Sequence, residues 1–455
     1  MGAAVSQATG QAAAVLVAAP ASGQGKTTVA CALARLHARA GRRVRAFKCG
    51  PDFLDPQWLA LASGGPVHSL DLWINGEADC AARLAAAAAE ADLVVVEGVM
   101  GLFDGTPSAA DLARRFGLPV LAVVDAGAMA GTFGALAHGL QHYRPGLPWL
   151  GVLANRVAGA RHAQMLQDSL ATPGDWCGAL PRSDAWALPE RHLGLVQAAE
   201  LSDAVARLDA AADALATTPL GRRALADWPH WSAPPATPAD SIQPLLAGRR
   251  IAVAQDAAFQ FIYPANLATL QALGAQLQFF SPLAGDALPT CDAVWLPGGY
   301  PELHAATLAA CVPLRDQLRA HVAAGRPLWA ECGGMLVLFD VLVDADGQHH
   351  RMWGLLPGTV TQGRRLAALG PQQLVLGGQA LRGHTFHHST CATPLPPWAH
   401  AQAVRGGALG LGEALYVRGP VRASYVHAWF PSNPALAAAL LSPAALPAPT
   451  EHVPC

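Results

Sequence analysis

The chain has 455 residues, 52% of them hydrophobic and 14% charged, and its 30 Lys+Arg against 32 Asp+Glu leave a formal net charge of −2. That length exceeds what one hydrophobic core serves, so two domains are expected, and the apolar content excludes a disordered chain. The near-neutral balance leaves no electrostatic footprint for nucleic acid or an anionic membrane, and neither is expected as a partner.

The opening stretch "MGAAVSQATGQAAAVLVAAP" has no basic segment of the kind that starts an export signal, and no apolar run is long enough to span a bilayer. A cytoplasmic protein is expected. From there strand-like and helix-like stretches alternate. "AVLVAAP" (14–20), "VRAFKCG" (44–50), "DLVVVEG" (92–98), "PVLAVVDA" (119–126) and "WLGVLANRV" (149–157) are short, β-branched and nearly continuously apolar. Strands buried on both faces of a parallel sheet read in this way. Between them lie helical stretches such as "TTVACALARLHARAG" (27–41) and "CAARLAAAAAEA" (80–91). The alternation predicts a doubly wound α/β domain over 1–227. The Pro-rich, aperiodic 228–248 predicts a linker. The pattern then restarts with "RIAVAQD" (250–256), a helix near 264–273, "AQLQFFSP" (275–282), "DAVWLPGG" (292–299) and "PLWAEC" (327–332). A second doubly wound α/β domain over 249–455 follows.

"PASGQGKTT" (20–28) sits between the first strand and the first helix, the context a phosphate-binding loop requires. Gly23 and Gly25 let backbone N–H groups face phosphate oxygens, with Ser22 and Thr28 flanking them. Lys26 supplies positive charge and Thr27 a hydroxyl for Mg²⁺. Pro20 stands where such loops usually begin with glycine. "FKCGPDFLDP" (47–56) at the end of the second strand offers Lys48, Asp52 and Asp55; "VVVEGVMGLFDG" (94–105) ends its strand with Glu97 and then Asp104. Carboxylates at the C-terminal ends of strands beside a phosphate loop suit a catalytic Mg-nucleotide cleft. Asn155 closes the fifth strand, and its amide either reads an adenine edge or serves as a cap.

Nine cysteines are scattered without a C-x-x-C pair, which suits a reducing compartment and excludes a zinc knuckle. Eight of them, Cys31, Cys49, Cys80, Cys177, Cys291, Cys311, Cys391 and Cys455, read as small hydrophobes. Cys332 in "WAECGGM" differs: Gly333 and Gly334 behind a strand allow the sharp turn of a nucleophile elbow. "WLPGGYPELH" (295–304) brings a second pair, Gly298 and Gly299, which with Gly333 are candidate oxyanion donors. "SYVHAWF" (424–430) places His427 at the end of an apolar strand as a proton acceptor for the thiol. "GHTFHHST" (383–390) clusters three histidines, but without a paired carboxylate or cysteine the pattern favours a strand over a metal site.

Taken together, "SGQGKTT", "FKCGPDFLDP", "LDLW" (70–73), "VVEGVMGLFDG", "LPERHLGLV" (188–196), "DAAFQFIYP" (256–264), "LPGGYPELH" and "AECGGM" resemble the cobyrinic acid a,c-diamide synthase family over nearly the whole chain. The resemblance implies a dethiobiotin-synthetase-like ATP-dependent domain joined to a class I glutamine amidotransferase domain. It implies ATP as co-substrate, Mg²⁺, L-glutamine, and a corrinoid carboxylic acid, either cobyrinic or hydrogenobyrinic acid, amidated through acyl phosphates. On matching positions Cys332 is the nucleophile and His427 its activator. Asp52, Leu54, Glu97 and Asp104 fall at the positions around the activated carboxylate and its metal. Trp429 stands where many class I amidotransferases carry a triad glutamate. Sibling enzymes acting on nickel-sirohydrochlorin or on cobyric acid precursors are the neighbouring alternatives, and a P-loop switch ATPase is the alternative from another class. A homodimer stays open.

Overall fold

The structure, a computed structural model, describes residues 12–191, 194–235, 241–405 and 408–449. Its internal contacts divide the chain into two units, Met1–Ala239 and Asp240–Cys455.

In the first unit β1 (Ala13–Ala18), β2 (Val44–Cys49), β3 (His68–Leu70), β4 (Leu93–Glu97), β5 (Val120–Asp125), β6 (Trp149–Val157) and β7 (Trp176–Pro181) form one sheet. Their order is β3-β2-β4-β1-β5-β6-β7, and every neighbouring pair is parallel. Ala14, Leu16 and Ala18 point into one core, while Ala13, Val15 and Val17 point into another on the opposite face. Both faces are covered, so no position along β1 tolerates a polar side chain; this is why the strand reads as an unbroken apolar run. The chain leaves β1 toward β2 on one side, and β5 lies on the other. The C-terminal ends of β1, β4 and β2 therefore border the crevice where open α/β sheets hold ligands. Helix α1 (Lys26–Arg39) begins there, as does α2 (Asp55–Ser63). A small hairpin of β8 (Glu190–Arg191) and β9 (Gly194–Leu195) lies within the stretch 188–196, of which residues 192 and 193 are outside the described residues.

The proline-rich stretch 228–248 is not only a connector. Trp228 and Trp231 are buried in the first unit, where the Trp231 indole donates to the Phe116 carbonyl (2.9 Å), and Leu246 packs into the second. Prolines interrupt periodicity without preventing large aromatic side chains from burying their area.

In the second unit β10 (Arg250–Ala254), β11 (Gln276–Phe280), β12 (Ala293–Leu296) and β13 (Leu328–Glu331) are parallel neighbours in the order β11-β10-β12-β13. A four-stranded sheet combines β14 (Val341–Val343), β15 (His349–Arg351), β16 (Thr359–Gln362) and β19 (Ser389–Ala392). The larger sheet continues through β17 (Ala368–Leu376), β18 (Gln379–His387), β20 (Ala399–Arg405), β21 (Ala408–Arg418), β22 (Val421–Ser424) and β23 (His427–Ala428). Beyond β13 its order is β22-β21-β20-β17-β18-β23. Only β22 joins the parallel half; the rest pair antiparallel. The doubly wound pattern expected for the whole second half is thus confined to its first part. Just Tyr425 and Val426 separate β22 from β23, although four strands lie between them in the sheet. The antiparallel half must therefore curl until its far edge returns beside β22.

Candidate active sites

In the first unit, the loop after β1 is shaped by Gly23 (φ 76°) and Gly25 (φ 92°), both in the left-handed region that favours glycine. A Cβ on Gly25 would also overlap the Asn155 side chain. Lys26 donates to the carbonyls of Ala21 (3.1 Å) and Met100 (2.7 Å), tying the loop to the segment after β4. The Thr27 hydroxyl donates to Glu97 Oε1 (2.6 Å). The loop, the ends of β2 and β4, and Asn155 line a cleft of about 730 Å³, within the range of small-molecule sites.

Lys48 is buried in this cleft and reaches Asp55 (2.5 Å), Glu97 (3.0 Å) and, more distantly, Asp52 (3.9 Å). One ammonium cannot balance three carboxylates in a low dielectric. Burial pushes the Asp52 and Glu97 carboxyls up, with the Asp55 charge adding to both. Burial opposes the charge on Lys48, but Glu97 and Asp55 hold its pKa well above the usual lysine range. Glu97 Oε2 is buried and faces no hydrogen-bond donor among the described residues. An acid-rich pocket with an orphaned carboxylate oxygen beside a threonine hydroxyl fits a hard divalent cation.

The remaining predicted residues of this cleft are placed as follows. Ser22 and Thr28 line it with the glycines. Asp52 accepts the backbone N–H groups of Leu54 (2.8 Å) and Asp55 (3.2 Å), turning the chain into α2, and Leu54 itself packs inside. Asp104 is exposed and accepts the Gly101 N–H (2.7 Å), closing the loop after β4. The Asn155 amide donates to the Gln24 carbonyl (2.9 Å) and accepts the Arg156 N–H (3.0 Å). Both its polar groups are used within the protein, so its amide braces the phosphate loop.

In the second unit Cys332 has φ 43° and ψ −111°, a strained conformation for a residue with a Cβ, at the turn from β13 into the short helix Gly333–Leu336. A Cβ on Gly333 would stand 2.6 Å from the Gly299 carbonyl oxygen and 2.8 Å from its nitrogen. One on Gly334 would meet the Pro297 carbonyl at 2.6 Å. The loop that carries Gly298 and Gly299 and the turn that carries Gly333 and Gly334 are therefore packed backbone to backbone. The Gly333 N–H faces the sulfur.

His427 arrives by way of β22. Cys332 N donates to the Ser424 carbonyl (2.8 Å), and three residues later His427 opens β23; the expected continuous apolar strand is broken at Tyr425 and Val426. On β18, His384 pairs with His427 across the sheet, their rings stacked at 4.9 Å and 16°. The same strand offers the Phe386 carbonyl to the Cys332 thiol (3.8 Å). His387 stacks on Tyr425 (3.6 Å) and binds Glu413 (2.9 Å). Among the described residues no group of three or more His, Cys, Asp or Glu is arranged to hold a metal ion.

Burial pushes the Cys332 thiol up, helped by Glu302, and pushes His427 well down, with His384 and His387 adding to the effect. Both shifts favour the neutral form of the side chain. Of the other cysteines, Cys31, Cys49, Cys80, Cys177 and Cys291 are buried, Cys311 and Cys391 partly so; Cys455 lies outside the described residues.

The CobQ/CobB/MinD/ParA nucleotide binding domain model matches residues 15–196, and the CobB/CobQ-like glutamine amidotransferase domain model matches residues 250–435. Hydrogenobyrinate a,c-diamide synthase of Stutzerimonas stutzeri (strain A1501) is 58% identical over 430 residues, covering 94% of this chain and 98% of that protein. The protein of that name from Pseudomonas aeruginosa is 57% identical over 434 residues, covering 95% and 98%. Cobyrinate a,c-diamide synthase of Herminiimonas arsenicoxydans is 48% identical over 446 residues, covering 96% and 99%.

The chain belongs to the a,c-diamide synthase family. As in that family, its first half is a nucleotide-binding domain and its second a glutamine amidotransferase domain, so the enzyme is a glutamine-hydrolysing ligase. Sequence reasoning about this a,c-diamide synthase family member assigned no role to Glu331, His384 or Glu413. Glu331 adjoins the cysteine, and its period-two position on a buried strand could have marked it as a polar residue facing inward. His384 meets His427 across the sheet and Glu413 meets His387 through its side chain, contacts between residues well separated along the chain.

Proposed function

We propose that the protein converts the a and c acetate carboxylates of hydrogenobyrinate or cobyrinate to amides, using ATP and the amide nitrogen of glutamine. The observation that carries this reading is the near-full-length likeness to a,c-diamide synthases, with a phosphate loop in one unit and a strained cysteine in the other. The relatives from Stutzerimonas stutzeri and Pseudomonas aeruginosa, 58% and 57% identical, are named for the metal-free ring, which favours hydrogenobyrinate as the acceptor to try first.

A carboxylate is a poor electrophile because its leaving group would be oxide; transfer of a phosphoryl group from ATP makes an acyl phosphate with a good one. Backbone N–H groups at Gly23 and Gly25, with Ser22, Thr28 and Lys26, hold the nucleotide phosphates. Thr27 and Glu97 would hold Mg²⁺, which when bound neutralises phosphate charge. Lys48, kept cationic by its neighbours, faces the charge on the transferring group, and Asp52, Leu54 and Asp104 shape the place of the acceptor carboxylate. In the other unit the Cys332 sulfur attacks the side-chain carbonyl carbon of glutamine as its proton passes to His427. N–H groups at Gly298, Gly299 and Gly333 stabilise the oxyanion. Collapse returns the proton to the departing nitrogen, releasing ammonia, and water frees glutamate from the thioester. Ammonia then displaces phosphate from the acyl phosphate.

The test is glutamate release from glutamine with ATP and Mg²⁺, in the presence of hydrogenobyrinic acid, cobyrinic acid, nickel-sirohydrochlorin or no acceptor, with mass spectrometry of the acceptor. Replacement of two hydroxyls by amino groups, and no more, on one of the first two rings supports the reading. Amidation of nickel-sirohydrochlorin alone, or of no acceptor, refutes it.

A further inference from the structure

The carboxylates of Glu302, Glu413 and Glu331 all bear on the Cys332 thiol, Glu302 most strongly. Each opposes the thiolate, the wrong direction for a nucleophile. Two of them have partners within the protein. Glu331 accepts the Trp329 indole N–H (2.7 Å), and Glu413 is bound by His387 Nε2 (2.9 Å) and the Thr385 hydroxyl (3.3 Å). Glu302 differs. Among the described residues its carboxyl meets no donor beyond its own backbone N–H, and no cationic side chain balances it.

The backbone places Glu302 at the edge of the same site. It follows Gly298 and Gly299 on the short 3-10 turn Pro301–His304, and a Cβ on Gly333 would stand 2.8 Å from Pro301 Cδ. The turn is thus pressed against the residue next to the nucleophile. Glu302 is half-buried rather than enclosed, so a ligand can reach it, and burial already pushes its carboxyl up to about 7. We propose that Glu302 is the specificity-determining residue of the glutaminase site: its carboxylate receives the α-ammonium of L-glutamine. The inference rests on the reading of Cys332 as the nucleophile given above.

The reacting carbonyl carbon of glutamine and its α-nitrogen are four bonds apart, roughly 5 Å when extended. A substrate whose amide lies against the sulfur therefore carries its cation to the neighbouring turn. With the ammonium in place the Glu302 charge is balanced, and its opposition to the thiolate is relieved. The same cation offsets the negative charge that the oxyanion brings into a poorly solvated site. The cysteine thus becomes more nucleophilic when its own substrate arrives. An amide without an α-ammonium leaves Glu302 charged and unbalanced beside the sulfur, so it binds less well and meets a less reactive thiol.

The experiment compares full-length wild type, Glu302→Gln and Glu413→Gln for ammonia release from L-glutamine and from glutaramic acid, which lacks only the α-amino group. The wild type is expected to favour L-glutamine in kcat/KM by about 10–10²-fold, the effect of one charge-assisted hydrogen bond. Glu302→Gln, which is nearly isosteric, should lose most of that preference by using L-glutamine less well, with glutaramic acid used no worse than before. A second readout needs no turnover: alkylation of Cys332 by iodoacetamide, followed by peptide mass spectrometry. It should run several-fold faster in Glu302→Gln than in the wild type, because the thiolate no longer faces a carboxylate. An unchanged preference in Glu302→Gln overturns the proposal, as does loss of the preference in Glu413→Gln alone. Equal alkylation rates also overturn it, since the carboxylate would then lie too far from the thiol to meet a substrate bound there. Survival of glutaminase activity in Cys332→Ala would instead overturn the reading on which the proposal rests.

Discussion

Gly298 and His427 are fitted to one another: the Cε1 corner of the imidazole fills the space that any side chain on residue 298 would need. Gly298→Ala must therefore push the ring away from the thiol or move the loop. Glutamine-dependent turnover is expected to fall about 10²-fold, while amidation driven by free ammonia persists. Parallel assays with glutamine and with ammonium chloride check this, and equal losses in both would show that the loop serves more than the histidine.

On the proposed mechanism Cys332→Ala removes the nucleophile outright. Glutamine use should drop by roughly 10⁴–10⁶-fold with ammonia-dependent amidation unchanged, read as amide formed on the acceptor. Loss of both activities in a folded variant would contradict the division of labour between the two units.

Asn155→Ala distinguishes a brace from a base reader. The amide supports the Gln24 carbonyl at the tip of the phosphate loop. Losing that bond should weaken ATP and GTP alike, by about tenfold, the worth of one hydrogen bond. Selective loss of ATP in competition binding would assign the amide to the adenine edge instead.

Glu331 gives a dependence on pH. Burial raises its carboxyl to about 8 although Trp329 donates to it (2.7 Å). Between the unfolded value of 4.5 and about 8 the folded state binds more protons than the unfolded, so the contribution of Glu331 to stability falls as pH rises through that window. Glu331→Gln abolishes this titration. Its melting temperature should gain on the wild type from pH 5 to pH 8, corresponding to about a few kcal/mol, and hold that gain above. A constant difference across the range would mean that Glu331 is ionised throughout.

Most strands of the wholly parallel first sheet and of the parallel part of the second were legible because they are buried on both faces, and burial leaves a continuous apolar signature: "WLGVLANRV" is β6 to the residue, whereas β7, "WCGALP", was missed. The phosphate loop and the cysteine elbow were legible for a related reason, since glycine spacing records where backbone must approach backbone. The antiparallel strands after residue 340 were not. β17 reads "ALGPQQLVL", with Pro371 and two glutamines in a strand fully buried only at Gln372, Leu374 and Leu376, and no short window of it looks like a strand. Short β3 was also missed, for want of length. His384 was seen as one member of a histidine cluster, but its partner is more than forty residues away, and register across a sheet cannot be read along a chain. The Lys48 cluster illustrates the intermediate case: its members were visible, and their mutual contacts were not.

Two residues, Tyr425 and Val426, join the strand beside the cysteine to the strand that carries the histidine. That spacer works as a ruler. Side chains alternate faces along extended backbone, so adding or removing one residue there would turn His427 to the far side of the sheet and bring a neighbour to the thiol. Length changes in the outer hairpins, by contrast, leave the ring closure intact. The amidotransferase unit can thus vary widely at its periphery, while a single-codon insertion at 425–426 would, on the proposed mechanism, leave a folded protein in which Cys332 is parted from His427.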